Sequence, residues 1–429
     1  MKIAIIGAGV AGAAAAHTLR RNGAHPIVLE ASDAVGGRTR TVDHDKFALD
    51  SGAIFVMGSY ARTLHYLRES GHRPDMRRWV ARTAVLDDSG ARHSVRFDLP
   101  WTLLRMPQLG WRDRARLALG VAGLLLRRAS SPFDIDDLAA LDDGRSLAEW
   151  ATDSFGERVY EYVVRPLMEP LTGADATAIS AAFTIALLSQ PTRTRLTVPN
   201  GGLGRIASWL LDGVDVRLST PALSLHTGPA GVTVETTDGP LAVDAVVMAT
   251  DVRRARSLLD GVVDRAVLGA LDAVVPIPAY HVLLGYQTDP WPDARQDLVV
   301  HAGPGLHHNY GVLLNSRRAA GSTPEGGQTV SVYFDRAQAP ADDEKQVVDL
   351  AREAVDTAFG PAVPDFHQVF DMDVALIAPV PGHYRRMRAA RDLMPDDIRL
   401  AGDFLTHSGI ESALRSGEQA ARDLLARKR

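Results

Sequence analysis

Near the start of the chain, Gly7-Ala8-Gly9-Val10-Ala11-Gly12 has the GxGxxG spacing, directly after a β-branched apolar run and at the opening of an alanine-rich one. Strand, turn and helix in that order form the context in which such glycines hold a dinucleotide. Gly7 permits the tight turn, Gly9 lets the backbone approach a pyrophosphate, and Gly12 allows the helix to pack closely on the strand. The helix N-terminus adds free N–H groups that favour an anion. Glu30 closes the next apolar run, at the distance where a carboxylate accepts hydrogen bonds from an adenosine ribose and repels a 2′-phosphate. A second glycine pair, Gly36-Gly37, then runs into Arg38, a forked cation that stays charged beside a phosphate.

These residues need a βαβ frame. Residues 2–6 and 26–30 read as short buried strands and Ala11–Arg21 as the helix between them. From Trp79 to Gln190 the pattern turns mainly helical, with apolar periodicity in 115–128, 145–164 and around 178–189, as expected of an inserted region. Strand signals return at 214–218, 232–236 and 243–249, where the first sheet resumes. Residues 280–286 and 329–334 read as strands of a second sheet, and 345–359 as an amphipathic helix packed on it. A strand at 398–401 and a helix from about Ala413 close the chain.

At 429 residues, with 46% hydrophobic and 23% charged, the chain has room for two to three globular domains and is not a disordered or collagen-like one. A net charge of -5 from 47 basic and 52 acidic residues gives no footprint for nucleic acid. The absence of cysteine removes disulfides, thiolate metal sites and cysteine nucleophiles, so redox chemistry needs another carrier. Met1-Lys2 runs straight into a strand, without the pattern of a signal peptide, and a cytoplasmic location is expected. The longest apolar run, Leu117 to Leu126, is too short to span a bilayer and is flanked by arginines, so membrane contact is expected to be peripheral at most.

The glycine motif, Glu30-Ala31 and Gly36-Gly37-Arg38 together resemble the signature of the flavin-containing amine oxidase, protoporphyrinogen oxidase and phytoene desaturase superfamily. The resemblance continues along the chain. Leu49-Asp50-Ser51-Gly52-Ala53, followed by Ile54, is similar to the family's D-x-G segment near the flavin, and Pro199-Asn200-Gly201-Gly202-Leu203 to its turn before a helix. Ala222 lies where the family uses a backbone group for the adenine, and Gly402-Asp403 resembles the segment holding the phosphate and ribityl chain. Gly409 and Ile410-Glu411-Ser412-Ala413 resemble the closing series whose helix N-terminus faces the flavin pyrimidine, with Ser412 in place of glycine. The resemblance implies FAD, held noncovalently because no cysteine is available for a thioether.

On the substrate side the chain departs from amine oxidases. Their lysine, which holds a water against the flavin, aligns with His281, and no lysine lies between Lys46 and Lys345. One wall of the amine cage aligns with Gly409. The departures favour a bulkier or flatter substrate, with His281 orienting a water or a substrate proton. Tyr310 and Tyr384 are further catalytic candidates, and His307 and His308 possible pocket residues. Those two with His301 lack a carboxylate pattern, so no metal is assigned. Arg385, Arg386 and Arg388 form a cluster able to attract an acidic substrate.

The expected fold is α/β. A Rossmann-type, GR2-like FAD domain comprises residues 1–78, 195–265 and 386–429; a mixed α+β substrate domain comprises 79–194 and 266–385. The implied reaction passes a hydride from a small organic substrate to flavin N5, desaturating a C–C or C–N bond, with dioxygen or another acceptor reoxidising the flavin. The alternatives are a flavin-dependent isomerase or mutase without net oxidation, and a flavin-binding scaffold.

Overall fold

The computed structural model describes residues 1–426 apart from 73–74, 88, 97–99, 127–129, 191–195, 230, 302–308, 320, 338, 340 and 342; the side chains of residues 100, 309 and 310 are also not described. Strand Lys2–Ile6 lies at the centre of a five-stranded sheet, between His25–Leu29 and Ala245–Met248. Asp215–Arg217 and Ile398–Leu400 form its edges, and every pairing is parallel. Strands with both faces covered need apolar residues at successive positions, as the first strand shows. Ile3 and Ile5 pack on the helix side, whereas Ala4 and Ile6 pack toward the antiparallel strands between Ala222 and Val243.

Two helices cover the first face, Val10–Arg21 and Ile410–Ala426. Their axes come so close that a Cβ on Gly417 would lie 2.0 Å from the Ala11 carbonyl oxygen. Only a glycine permits that approach, so the two ends of the chain meet where the dinucleotide motif begins.

The second sheet has seven strands, in the order Phe366–Ala378, Val275–Tyr286, Gln328–Asp335, Asn309–Leu314, Leu298–His301, Thr83–Leu86 and Arg92–Val95. Helix Glu344–Phe359 buries Val347, Val348, Ala351 and Val355 against it. Two strands therefore lie inside the stretch expected to be mainly helical. Thr83–Leu86 is buried at every position and pairs in parallel with Leu298–His301, so partners more than 200 residues away determine its conformation. Phe366–Ala378 was also not anticipated. It is an edge strand whose Asp371 and Asp373 pair with Arg336, which breaks up its apolar pattern.

The helical layer comprises Trp111–Leu125, Ile135–Leu141, Leu147–Phe155, Arg165–Thr172 and Ala182–Leu188. Ser146 and Glu149 cap one of these reciprocally: each backbone N–H donates to the other's side-chain oxygen. The expected helix over 145–164 breaks at Gly156, with φ of 93°, and continues through a π-helical turn at Tyr160–Val164. Among the described residues no helix is long and apolar enough to cross a membrane.

A buried ion pair joins the two sheets' territories. Arg318 Nη2 lies 2.9 Å from Asp50 Oδ2, and Asp50 Oδ1 accepts hydrogen bonds from Thr41 Oγ1 at 2.7 Å and the Leu203 N–H at 2.8 Å. Arg318 also donates to the Ile54 carbonyl, so residues 50–54 are held at both ends.

The helix crossing has a direct consequence. Gly417→Ala is expected to destabilise the protein by about 1–3 kcal/mol, because a backbone contact cannot yield as a flexible side chain does. Urea unfolding checks this, and an unchanged midpoint would show that the two helices separate freely.

Candidate active site

One cavity of about 1280 Å³ runs from the βαβ turn into the helical layer. At its first end Gly9 is the N-cap of helix Val10–Arg21 and offers no side-chain acceptor, so the helix's first N–H groups are left for whatever enters. Gly7, Gly9, Val10 and Ala11 line the wall there, with Gly409, Ile410 and Ala413 from the start of the closing helix. Two helix N-termini facing one cavity make an anion site from backbone alone.

Side chains complete this end. Glu30 accepts the Ala8 N–H at 2.7 Å and both the N–H and Oγ–H of Ser32, at 2.9 and 2.8 Å, and its residue lines the cavity. The Gly36 N–H donates to the Ala8 carbonyl at 2.9 Å, drawing the second glycine pair beside the first. Arg38 donates from Nη2 to Asp403 Oδ1 at 2.6 Å and from Nη1 to the Ala375 carbonyl at 3.2 Å. Burial opposes the Arg38 charge, yet the adjacent Asp403 carboxylate raises its pKa on balance. The forked cation expected to meet a phosphate thus spans the N- and C-terminal segments.

All the expected cofactor residues line this cavity except Gly12 and Glu411. Gly12 faces inward: a Cβ there would lie 1.9 Å from the Gly7 carbonyl oxygen. Glu411 turns away and caps helix Ala61–Glu69, accepting the N–H groups of Arg62 and Thr63 at 2.9 Å each and Thr63 Oγ1 at 2.7 Å. Tyr60, the N-cap of that helix, supplies no such bond, so the distant carboxylate does so. Burial raises the Glu411 pKa, against the pull of these donors. Its role is architectural.

The expected catalytic residues fare differently. His281 is buried behind the wall, with Nδ1 2.9 Å from the Ser51 carbonyl and Nε2 2.9 Å from Ser331 Oγ. Burial first, then Arg318, lowers its pKa to about 4 against the pull of the Ser51 carbonyl, so it is a neutral core imidazole with both nitrogens engaged. Its cross-strand partner Tyr333 lines the cavity instead. That ring stacks on His281 at 4.0 Å, and its Oη donates to the Gly52 carbonyl at 3.1 Å. Tyr384 is fully buried in helix His383–Asp392 and does not line the cavity. Tyr310 lies in strand Asn309–Leu314, but its side chain, like His307 and His308, lies outside the described residues. Arg385, Arg386 and Arg388 also lie away from the cavity.

Two polar residues of the substrate half were not singled out from the sequence. His407 lines the cavity, stacked on Phe183 at 3.7 Å, and its buried Nδ1 has no hydrogen-bond partner among the described residues. Burial, then the neighbouring His383, lowers its pKa to about 3. Its position between Asp403 and Gly409 was the available signal. Tyr60 also lines the cavity; a Cβ on Gly409 would lie 3.5 Å from its hydroxyl, so Tyr60 approaches the space an aromatic at 409 would take. The rest of this half is mainly apolar: among the described residues, 79–190 contribute Leu103, Leu117, Val121 and Leu171 among others, with Thr184 and Gln190 but no carboxylate, while Asp373 on strand Phe366–Ala378 also lines the cavity and pairs with Arg336.

Comparison with known proteins agrees with this geometry. The model of the family "Flavin containing amine oxidoreductase" matches residues 10–425. A 15-cis-phytoene desaturase of Synechococcus elongatus is 26% identical over 203 residues, 44% of this chain and 41% of that protein. Protoporphyrinogen oxidase 2 of Arabidopsis thaliana is 28% identical over 188 residues, 42% of this chain and 34% of that protein. The chain thus spans less than half the length of these curated relatives. The cyclohexylamine oxidase of Brevibacterium oxydans superposes with a TM-score of 0.78 at 19% identity, over 100% of this chain and 99% of that one, and shares the fold. With the family model matched over residues 10–425 and the chain's glycine turns, Glu30 and Arg38 gathered on one cavity, this protein belongs to the flavin-containing amine oxidoreductase family.

Proposed function

We propose that this enzyme desaturates a bulky, uncharged, largely apolar organic substrate at a C–C or C–N bond, as protoporphyrinogen oxidases and desaturases do, rather than oxidising a small charged amine. The observation that carries the reading is the substrate half of the cavity: mainly apolar walls, with no carboxylate among the described residues of 79–190 and the one from Asp373 already paired with Arg336. A buried cation without a partner is costly, so such walls select against a protonated amine.

The residues present fit FAD. The uncapped N-terminus of helix Val10–Arg21 would hold the pyrophosphate, that of helix Ile410–Ala426 would face the flavin pyrimidine, Glu30 would hold the adenosine ribose, and Arg38 with Asp403 the polar chain between phosphate and ring. When bound, the flavin supplies the acceptance of a hydride, which is later passed to dioxygen or another acceptor. The chain's own contribution is to exclude water with the leucine-rich wall and to orient the substrate. Tyr60 and His407 are the polar groups placed to meet its polar edge. His407, neutral above about pH 3, acts there as a hydrogen-bonding group and not as a charge.

Anaerobic mixing tests the reading. Porphyrinogens, polyenes or bulky cyclic amines in neutral form are expected to bleach the flavin, and primary alkylamines to do so at least about a hundredfold more slowly, the factor for about 2.7 kcal/mol of lost pairing. An alkylamine that reduces it as fast as any bulky compound would overturn the reading; a product of unchanged mass would select the isomerase.

Cofactor retention is a separate check. Arg38→Met leaves Asp403 buried without its cation, and the variant is expected to purify with at least about tenfold weaker flavin affinity, read from its visible absorbance.

The three buried imidazoles set an acid limit. His281 and His383 have pKa values lowered to about 4 and His407 to about 3, from 6.5. Below pH 6.5 the unfolded chain binds protons that the folded one refuses, so stability falls with acidification toward pH 4, by up to about 1.4 kcal/mol per pH unit for each histidine. Thermal unfolding between pH 8 and pH 5 reads this; a Tm flat across that range would contradict it.

A further inference from the structure

Helix Trp111–Leu125 is apolar on two faces. Leu117, Val121 and Leu125 line the cavity. On the outside, Trp111 is 75% exposed, Leu119 74% and Leu126, just past the helix, 88%, and Ala115, Ala118 and Ala122 between them are exposed as well. The spacing 111, 115, 118/119, 122 and 126 puts them on one stripe at helical period. Trp101, in the turn before the helix, is a further exposed aromatic at 53%. Scattered exposed leucines need no explanation, whereas a continuous stripe with tryptophans at its approach does.

Charge identifies the occupant. From Trp101 to Arg128 the chain carries six arginines (105, 112, 114, 116, 127 and 128) against one acid, Asp113. That carboxylate is already engaged, accepting the Gly110 N–H at 2.9 Å. Arg112, Arg114 and Arg116 are exposed, and the Arg112 guanidinium lies 5.3 Å from the Trp111 ring centroid. This local excess stands out in a chain of net charge -5. An apolar stripe edged by arginines and tryptophans matches the headgroup and acyl boundary of a bilayer. A self-interface would place two arginine-rich edges against each other.

We propose that this helix docks the enzyme, peripherally, on an anionic phospholipid bilayer. Leu125 lines the cavity and is nevertheless 49% exposed, so it stands at the rim between interior and stripe. Docking through the stripe seats that rim on the lipid, where an apolar molecule passes between bilayer and cavity without crossing water. The docking goes beyond the reaction assigned above and does not depend on which substrate is used.

The test is sedimentation of the flavin-loaded full chain with vesicles of phosphatidylcholine alone and of phosphatidylcholine with phosphatidylglycerol in equal parts. The wild type is expected to pellet with the anionic vesicles and to remain in solution with the neutral ones. The double variant L119D/L126D, altered only at side chains that do not line the cavity, is expected to lose at least about tenfold in vesicle affinity while keeping its visible spectrum and thermal midpoint. The charge-reversed variant R112E/R114E should lose binding in the same way, and added salt should weaken the wild type. Three results would overturn the proposal: wild type left in the supernatant with anionic vesicles, equal binding to both kinds, or a wild-type dimer that L119D/L126D converts to monomer, which would make the stripe a contact between two copies.

Discussion

Two helices, one from each end of the chain, cross so closely that only a glycine fits between their backbones. The crossing at Gly417 and Ala11 brings the starts of both helices to one cavity wall. Each terminus contributes on the order of 0.3–1 kcal/mol toward an anion, and more when water is excluded. Neither alone distinguishes a dinucleotide from any phosphate. Their joint placement favours a ligand that presents negative charge on the wall they share. The parallel sheet provides that placement: strands drawn from residues 2–6, 245–248 and 398–400 pair side by side, so the first turn and the closing helix emerge at the same edge.

Polar interactions elsewhere act chiefly to hold this arrangement. Glu411 satisfies the orphan donors of a helix 350 residues earlier in the chain, and Asp50 with Arg318 fixes the segment 50–54 that forms the cavity's floor. Each is a buried charge that is stable only because its oxygens or nitrogens are all engaged. His281 is neutral but likewise has both polar atoms engaged. Its two hydrogen bonds tie the strand Val275–Tyr286 to Ser51 and Ser331, which explains why an imidazole so suited to chemistry takes no place on the wall.

What was legible in the sequence follows from the range of the interactions involved. The glycine turn, Glu30 and the second glycine pair announce themselves because local backbone requirements determine their types and spacing. The strands at 83–86 and 366–378 do not, since pairing partners far along the chain decide their conformation. The substrate half was the least legible. A lysine expected from resemblance is replaced at its aligned position by His281, yet the wall position is filled by the cross-strand neighbour Tyr333, a shift of one strand that alignment along a single segment cannot register. The pairing of 280–286 with 329–334, both recognised as strands, contained that answer. The Glu411 carboxylate was illegible for a related reason: the resemblance concerns the backbone there, whereas the destination of the side chain is set by a helix start at Tyr60 that has no cap of its own.

Gly409 and Tyr60 show how a cavity wall can change hands without leaving a void. Removing a large side chain from a packed wall leaves space that costs stability unless something moves in. Here the Tyr60 hydroxyl lies at the position a residue-409 side chain would contact, and its ring is braced edge-on by Phe133 at 5.1 Å, which itself meets Phe183 at 6.3 Å and through it His407. The aromatic surface is therefore displaced toward the helical layer, and its polar tips, a phenol and an unprotonated imidazole, carry no charge. On the proposed reading such a wall suits a flat or extended apolar body, to which it offers one or two hydrogen bonds, in keeping with the leucine-lined remainder of the cavity.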